Sequence, residues 1–509
     1  MQYLLGIDNG NTVSKAALFS IHGSEIAVAS SGAETVYPHS GWTERSMESL
    51  WTSTAQAIRT VIEQAGIDPH AIVGIGNTGH GNGLYVVGRD GQPIRNGIQS
   101  LDTRADELLR ERVRRGIQER AFPHILQEFW PAQPNALLPW LKHNEPEIYS
   151  RIGTILLCKD YVKYRLTGEL TTDYTDMSGT CLLDTPKRAY SRDLLDWYDI
   201  PEMWDALPRL AESTEIIGRV TREAAATTGL AEGTPVAGGL FDVDAGALGS
   251  GVIDPGTLCI IAGTWSINEV LIDQPVENRG LAMVHVGMVP GRWMVLEGSA
   301  TSMANLEWFV NTLCGEEKLE AQKRGVSVYD ICSEMVDSLS PGSSDIIFHP
   351  FLFGSNVQAT ARAGFYGIAG WHTKAHLLRA LYEGVVYGHM THVDKLRTLG
   401  PLSVARLTGG GSRSPVWTQM FADSLDMVME VADGVEVSAK GAAMSAGIGV
   451  GVYSDHADAV KQAVRVVRRQ TPIPENTPFY LERYRAYRQI LEVMQQPWDA
   501  LSKLNQAAN

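Results

Sequence analysis

Leu4-Leu5-Gly6-Ile7-Asp8-Asn9-Gly10-Asn11-Thr12-Val13-Ser14-Lys15 is the stretch that decides the fold. An apolar run stops on an aspartate and then turns through small, hydrogen-bonding residues. Tyr3 to Ile7 has the length of a fully buried strand, Asn9-Gly10 is a hairpin signal, and Val13 to Phe19 returns as a second strand. Such a turn presents backbone N–H groups to phosphate oxygens, and Asp8, with no cation beside it before Lys15, suits Mg²⁺ or its waters. The same residues also make an ordinary hairpin, so what accompanies them elsewhere in the chain matters.

The chain has 509 residues, 44% hydrophobic and 20% charged, which is enough apolar material for two or three domains of a folded enzyme. Against 43 Lys and Arg stand 58 Asp and Glu, a net charge of −15 that excludes general nucleic-acid binding but leaves room for small anions at backbone sites. No basic segment precedes an apolar run at the amino end, and no apolar run approaches about 18 residues, so a cytoplasmic protein without a membrane partner is expected. Cys158, Cys181, Cys259, Cys314 and Cys332 are scattered without a CxxC spacing and read as reduced, mostly buried thiols.

Ser46 is placed to cap a helix whose apolar positions Trp51, Ala55, Ile58, Ile62 and Ala65 line one face, with Gly66 ending it and a strand from Ile72 to Gly76 following. Strand, strand, strand, helix, strand is an α/β arrangement with an antiparallel edge. No GxGxxG or GxxxxGK[ST] follows the first strand, which removes the standard dinucleotide and P-loop folds. After Asp254-Pro255-Gly256, the segment from Thr257 to Ile267 again runs strand, Gly263-Thr264 turn, strand, and predicts a second copy with a boundary near Ser250. Two similar halves would bring both turns to one cleft. A third glycine element, Gly409-Gly410-Gly411-Ser412-Arg413-Ser414, follows a strand from Leu402 to Thr408 and precedes a helix from Val416 to Leu425. Its glycines allow close approach to a flat or charged ligand. Tyr480, Tyr484, Tyr487, Leu491 and Met494 predict a packed final helix, and Arg465, Arg468 and Arg469 read as the solvated end of another.

These elements resemble the FGGY carbohydrate kinases, whose broad fold is that of actin, hexokinase and the heat-shock chaperone ATPases. The blocks that carry the resemblance are Asp8 to Thr12; Asp102-Thr103-Arg104; Trp140 to Pro146; Lys159-Asp160-Tyr161 with Leu166-Thr167-Gly168; and Gly238-Gly239-Leu240-Phe241-Asp242-Val243-Asp244-Ala245. Gly263-Thr264, Gly364-Phe365-Tyr366-Gly367, Gly409 to Trp417, Ala422-Asp423 and Gly441-Ala442-Ala443 follow in the family's order. Gly41-Trp42-Thr43-Glu44-Arg45, Gly239 to Asp242 and His349 to Asn356 are most similar to the L-xylulose kinase branch. The resemblance implies an α/β protein of two ribonuclease H-like, actin/hexokinase-type domains around a central cleft. Residues 1–250 would carry the sugar site and first phosphate loop, and 251–509 the nucleotide site and the C-terminal helix. Leu137 and Ser100 stand where the family usually has Lys and Trp, both on the sugar side, which leaves the sugar open.

Phosphoryl transfer to a sugar needs a base for the attacking hydroxyl, with a cation and an N–H cradle for the phosphate. Asp242, after a Gly-Gly turn and before Ala245-Gly246-Ala247, is expected at a helix N-terminus, ionised by the dipole, either as an N-cap or as the base. The family pattern Gly-x-x-Asp-x-x-Ala selects Asp242 over Asp244. The resemblance further implies Mg²⁺ at Asp8, and ATP at Asn11, Thr12, Lys15, Gly263, Thr264, Gly409, Gly410 and Gly411. For the sugar it implies contacts from His80, Asp102 and Arg104 beside Asp242; His80 alone is also consistent with a structural turn and Asp102–Arg104 with a surface ion pair. The expected activity is ATP-dependent phosphorylation of a small sugar at a primary hydroxyl, a ketopentose such as L-xylulose. D-xylulose, L-ribulose, erythritol or glycerol are alternatives, and an actin- or chaperone-like ATPase is the alternative from another class. The family tends toward homodimers.

Overall fold

The computed structural model describes all residues except Ala33, Asn356 and 507–509. Asn356, the last residue of the His349 block, therefore lies outside the described residues. The chain forms two compact units: Met1–Asp254 with Leu271–Val295 and Gly434–Arg465, and Pro255–Val270 with Leu296–Asp433 and Val466–Asn509. No helix among the described residues is long and apolar enough to cross a membrane.

In the first unit the sheet order is Ile216–Arg219, Pro235–Ala237, Ile72–Gly79, Tyr3–Asn9, Val13–Ser20, Glu25–Gly32, and Leu240–Phe241 also pairs with Ile72–Gly79. Tyr3–Asn9 and Val13–Ser20 form the expected antiparallel hairpin, closed by the Gly10 N–H donating to the Val13 carbonyl at 3.0 Å. Ile72–Gly79 joins on the other side in parallel. Two-residue alternation along Tyr3–Asn9 sends Leu5 and Ile7 into a core with Leu50, Trp51 and Ile58 of the helix Met47–Ala65 and Tyr161 and Leu166 of the helix Cys158–Thr167. Ser46 caps the first of these helices by accepting from the Ser49 N–H, and Gly66 ends it in the left-handed region at φ 60°.

The other face of the sheet carries no side chain at Gly6 and Gly76. A Cβ at Gly6 would lie 1.9 Å from the Ala439 carbonyl oxygen, and one at Gly76 1.8 Å from that of Ala442. The helix Val437–Gly449 thus rests its backbone on the strands, and it meets Asp242–Gly249 the same way, through Gly441 against the Ala245 carbonyl.

The second unit repeats the pattern. Ser266–Ile272 is antiparallel to Thr257–Ala262, Val404–Thr408 pairs with Thr257–Ala262 in parallel, and Val428–Ala432 follows in parallel. Each unit therefore has the hairpin-then-parallel sheet of a ribonuclease H-like fold. Tyr480, Tyr484, Tyr487 and Leu491 are buried along Thr477–Val493 as expected. The arginines near 465 do not end a helix: Val466–Gln470 is an antiparallel edge strand on Val428–Ala432. The β-branched Val466 and Val467 favour that state over the helix. Arg468 donates to the Ser412 carbonyl at 2.7 Å and Arg469 to Glu430 at 3.0 Å.

Candidate active site

Three parallel strands of the first unit end in one row. Asn9 pairs with Gly79 and Gly79 with Phe241, so the chain leaves the sheet side by side at Gly10, His80 and Asp242. Carboxyl ends of parallel strands are where open α/β sheets collect ligands. Asp8 is consequently close enough to oppose the ionisation of Asp242.

Asp242 is the first residue of the helix Asp242–Gly249, half-buried, with the Val243 N–H supporting its carboxylate. The sequence gives the helix dipole the upper hand, yet the carboxyl is pushed well above the usual range, first by burial and then by the Asp8 and Asp176 carboxylates. Asp244 is committed elsewhere. One of its oxygens accepts from His285 Nε2 at 2.7 Å and the other from the Met288 N–H at 3.0 Å.

The turn before Asp242 is held from both sides by groups whose role the sequence did not reveal. Lys163 Nζ donates to the Gly238 carbonyl at 2.6 Å, and the Thr175 hydroxyl accepts from the Phe241 N–H at 2.8 Å while donating to Asp173. Lys159, wholly buried, lies 3.0 Å from Asp160, 2.5 Å from Asp173 and 3.1 Å from Asp176. Burial pulls its ammonium down, but the three carboxylates overrule that and hold it charged. Asp176 is pushed up to about 7, by burial first, against the pull of Lys159. Lys159 and Lys163 at a four-residue spacing in the helix Cys158–Thr167, one turn apart and beside Asp160, was the available signal.

The turn after Asn9 is anchored from behind. The Gln99 amide donates to the Asn11 carbonyl, and Asn11 Nδ2 donates to the Ser100 hydroxyl at 3.0 Å. Thr12 is exposed at the tip. Because a trans peptide points its C=O and N–H in opposite directions, fixing the Asn11 carbonyl inward turns the Thr12 N–H outward. Asp8 is half-buried, and burial raises its carboxyl to about 6 despite Lys15. Lys15 itself pairs with Glu436 at 2.8 Å.

His80 is buried, its Nδ1 3.2 Å from the Gly81 carbonyl and Nε2 3.0 Å from the Tyr85 hydroxyl. A carbonyl only accepts, so Nδ1 carries the proton and Nε2 accepts from Tyr85. Burial and the Arg45 charge lower its pKa to about 4, so the ring is neutral. Asp102 is 1% exposed. Its oxygens accept from the Thr43 N–H at 2.7 Å and from the Arg104 N–H, Nε and Nη2, each at 2.9 Å. Arg104 also reaches Glu44 at 2.9 Å and stacks over Trp42 at 4.2 Å and Trp140 at 5.2 Å. The pair is buried, not on the surface, and clamps the Gly41–Arg45 segment to the Gln99–Arg104 loop. Trp130, 47% exposed, donates Nε1–H to the Ser100 carbonyl at 3.5 Å and presents an apolar face to solvent.

In the second unit Ile261 pairs with Thr408, so Gly263-Thr264 and Gly409-Gly410-Gly411 leave the sheet together. Gly409 has φ +82°, and a Cβ there would meet the Ala262 carbonyl at 2.6 Å; no other residue fits. The Met303 N–H donates to the Gly263 carbonyl at 2.9 Å. Beyond the glycines opens a cavity of about 630 Å³ lined by Met303, Tyr329, Ser333, Gly410, Arg413 and Trp417 among others. That volume suits a nucleoside. Tyr329 and Ser333 carried no sequence signal, because their approach depends on how helices pack, whereas Arg413 belongs to the glycine element itself.

Residues 3–249 match the N-terminal domain of the FGGY family of carbohydrate kinases, and residues 258–450 match its C-terminal domain. The chain is 36% identical over 496 residues to the L-xylulose/3-keto-L-gulonate kinase of Escherichia coli strain K12, covering 97% of each. It is 37% identical over 492 residues to a probable L-xylulose kinase of Pasteurella multocida strain Pm70, covering 96% of this chain and 98% of that one. Among solved structures, the xylulose kinase of Rhodospirillum rubrum aligns at 27% identity with a TM-score of 0.86, covering 98% of this chain and 100% of that one. Matched over nearly its whole length, the chain belongs to the FGGY family of carbohydrate kinases and is an ATP-dependent sugar kinase.

Proposed function

We propose that the enzyme transfers the γ-phosphoryl group of ATP to a primary hydroxyl of a ketopentose, with L-xylulose the first candidate and Asp242 the general base. The observation that carries the base assignment is the position of Asp242, half-buried at the strand-end row beside Asp8 and the Asn11–Thr12 turn. The sugar is supported by similarity to kinases named for L-xylulose, one of them also for 3-keto-L-gulonate.

Asn11, Thr12 and Lys15 are assigned to the terminal phosphates, Gly263, Thr264 and Gly409 to Gly411 to phosphate and ribose, and the second unit's cavity to adenosine. Asp242 accepts the hydroxyl proton as the oxygen bonds to the γ-phosphorus, and the bond from that phosphorus to the β–γ bridging oxygen breaks to release ADP. Among the described residues no group of three or more His, Cys, Asp or Glu could hold a metal ion. A single carboxylate at Asp8 therefore fits a cation that keeps waters and takes phosphate oxygens, as Mg²⁺ does. Bound there, Mg²⁺ supplies charge neutralisation. Neutral His80 and the face of Trp130 border the sugar, while Asp102 and Arg104 hold that wall in place.

A coupled ADP-release screen over L-xylulose, D-xylulose, L-ribulose, erythritol and glycerol, ranked by kcat/KM, tests the substrate. L-xylulose is expected first, and another sugar in that place overturns the choice. ADP release that no sugar accelerates is the signature of an actin- or chaperone-like ATPase.

The free enzyme's pH profile follows from the shifted carboxyls. Asp8 at about 6 and Asp242 above its usual range are active only when ionised, so kcat/KM is expected to fall as the pH drops, with an acid limb at or above about 6. A profile flat down to about pH 5 would show that neither carboxyl is raised.

A further inference from the structure

Arg45 lies directly behind the phosphate turn with 0% of its surface exposed. One Nη donates to the Gly10 carbonyl at 3.1 Å and the other to the hydroxyls of Ser14 and Ser53, each at 3.0 Å. Every one of these acceptors is neutral, and Nε has no hydrogen-bond partner. Its neighbour Glu44 is engaged by Arg95 and Arg104. The ionisable groups that feel Arg45 are His80, lowered by burial, and Tyr85 and Cys158, both raised by burial, so all three are uncharged at neutral pH. Lys159 and Arg104, equally deep, sit against carboxylates. Arg45 pairs with none among the described residues.

A guanidinium taken out of water without a counter-charge is destabilising. Its placement gives it a use. By holding the Gly10 carbonyl inward, Arg45 directs the N–H of the same peptide, that of Asn11, outward, as Gln99 does for Thr12. We propose that Arg45 is a positioning residue for the terminal phosphates of the nucleotide: it aims the turn's N–H groups at them, and their charge supplies the counter-charge that the protein interior withholds. This rests on the assignment of the turn to phosphate made above.

Two variants test it, each compared with the unaltered enzyme for binding of ATP and of adenosine, KM of each substrate, and melting temperature. Arg45→Gln removes the charge. Ser53→Asp leaves Arg45 in place but gives it an internal carboxylate, which is expected to hold or raise the melting temperature while weakening ATP. Both are expected to weaken ATP binding about tenfold or more, with adenosine affinity and the KM for sugar within about twofold of the parent. A purely structural role would leave the ratio of ATP to adenosine affinity unmoved, and that result overturns the inference. Should Arg45→Gln fail to fold, Ser53→Asp decides alone: unchanged ATP affinity sinks the proposal, and selective loss sustains it. The unaltered enzyme's own ratio of ATP to adenosine affinity keeps the two levels apart, since a parent that binds adenosine but gains nothing from the phosphates refutes the phosphate assignment itself.

Discussion

Exchange of Asp242 for asparagine is expected to leave a folded, ATP-binding protein whose kcat is lower by about 10² to 10⁴. Asparagine is nearly isosteric but takes up no proton, so the attacking hydroxyl loses its acceptor while the surrounding contacts stay. The melting temperature should hold or rise. Asp242 is raised by burial and by Asp8 and Asp176, which means its ionised form opposes folding at neutral pH, and a neutral amide removes that opposition. Initial rates with saturating sugar and ATP, beside calorimetric ATP binding, check this. Near-normal turnover in the variant would remove Asp242 from the base role, and lost ATP binding would mean the side chain supports the nucleotide instead.

Replacing Lys159 by methionine is expected to cost about 3–5 kcal/mol of stability, the range for breaking a buried charge pair from one side. Methionine fills the stem but leaves Asp160, Asp173 and Asp176 facing one another with Lys163 as their remaining nearby cation, 3.2 Å from Asp160. The pH dependence distinguishes this from simple mispacking. In the native protein Asp176 stands at about 7, above its unfolded value, so its contribution grows as pH falls through 7 and fades as pH rises. Without Lys159, Asp160 and Asp176 lose the cation that lowers them and rise, so the deficit should be larger at about pH 8 than at about pH 6. Denaturant unfolding at both values measures it. A uniform deficit would assign the effect to packing. Thr175 and Lys163 bind the loop of Asp242 to this cluster, so kcat should fall even where the variant remains folded.

Much of the fold is written in local pattern. The hairpin at Asn9-Gly10, the capped helix from Met47 and the glycine-ended strands near 262 and 408 are legible because period-two burial and turn chemistry act over a few residues. Asp242 at a helix start was legible for the same reason. Its protonation was not, because that depends first on burial and then on Asp8 and Asp176, brought near from distant segments by the packing of the fold. Asp102 and Arg104 show the same limit: their spacing suggests a pair, but only the packing of Trp42 and Trp140 makes it an internal clamp. The valines near 466 contain the strand signal directly, and the arginines around them obscured it.

The helix that covers Gly6 and Gly76 is among the last pieces of its unit to be synthesised, since Val437–Gly449 follows the Pro255–Val270 and Leu296–Asp433 segments of the second unit. On the ribosome, the amino-terminal sheet emerges with one face bare and waits for most of the chain before its cover arrives. A nascent chain in that condition exposes backbone and apolar surface together, the kind of intermediate that chaperones hold. Premature termination before this helix should accordingly yield aggregation or degradation in place of a smaller folded protein, even though every strand of the first sheet is present.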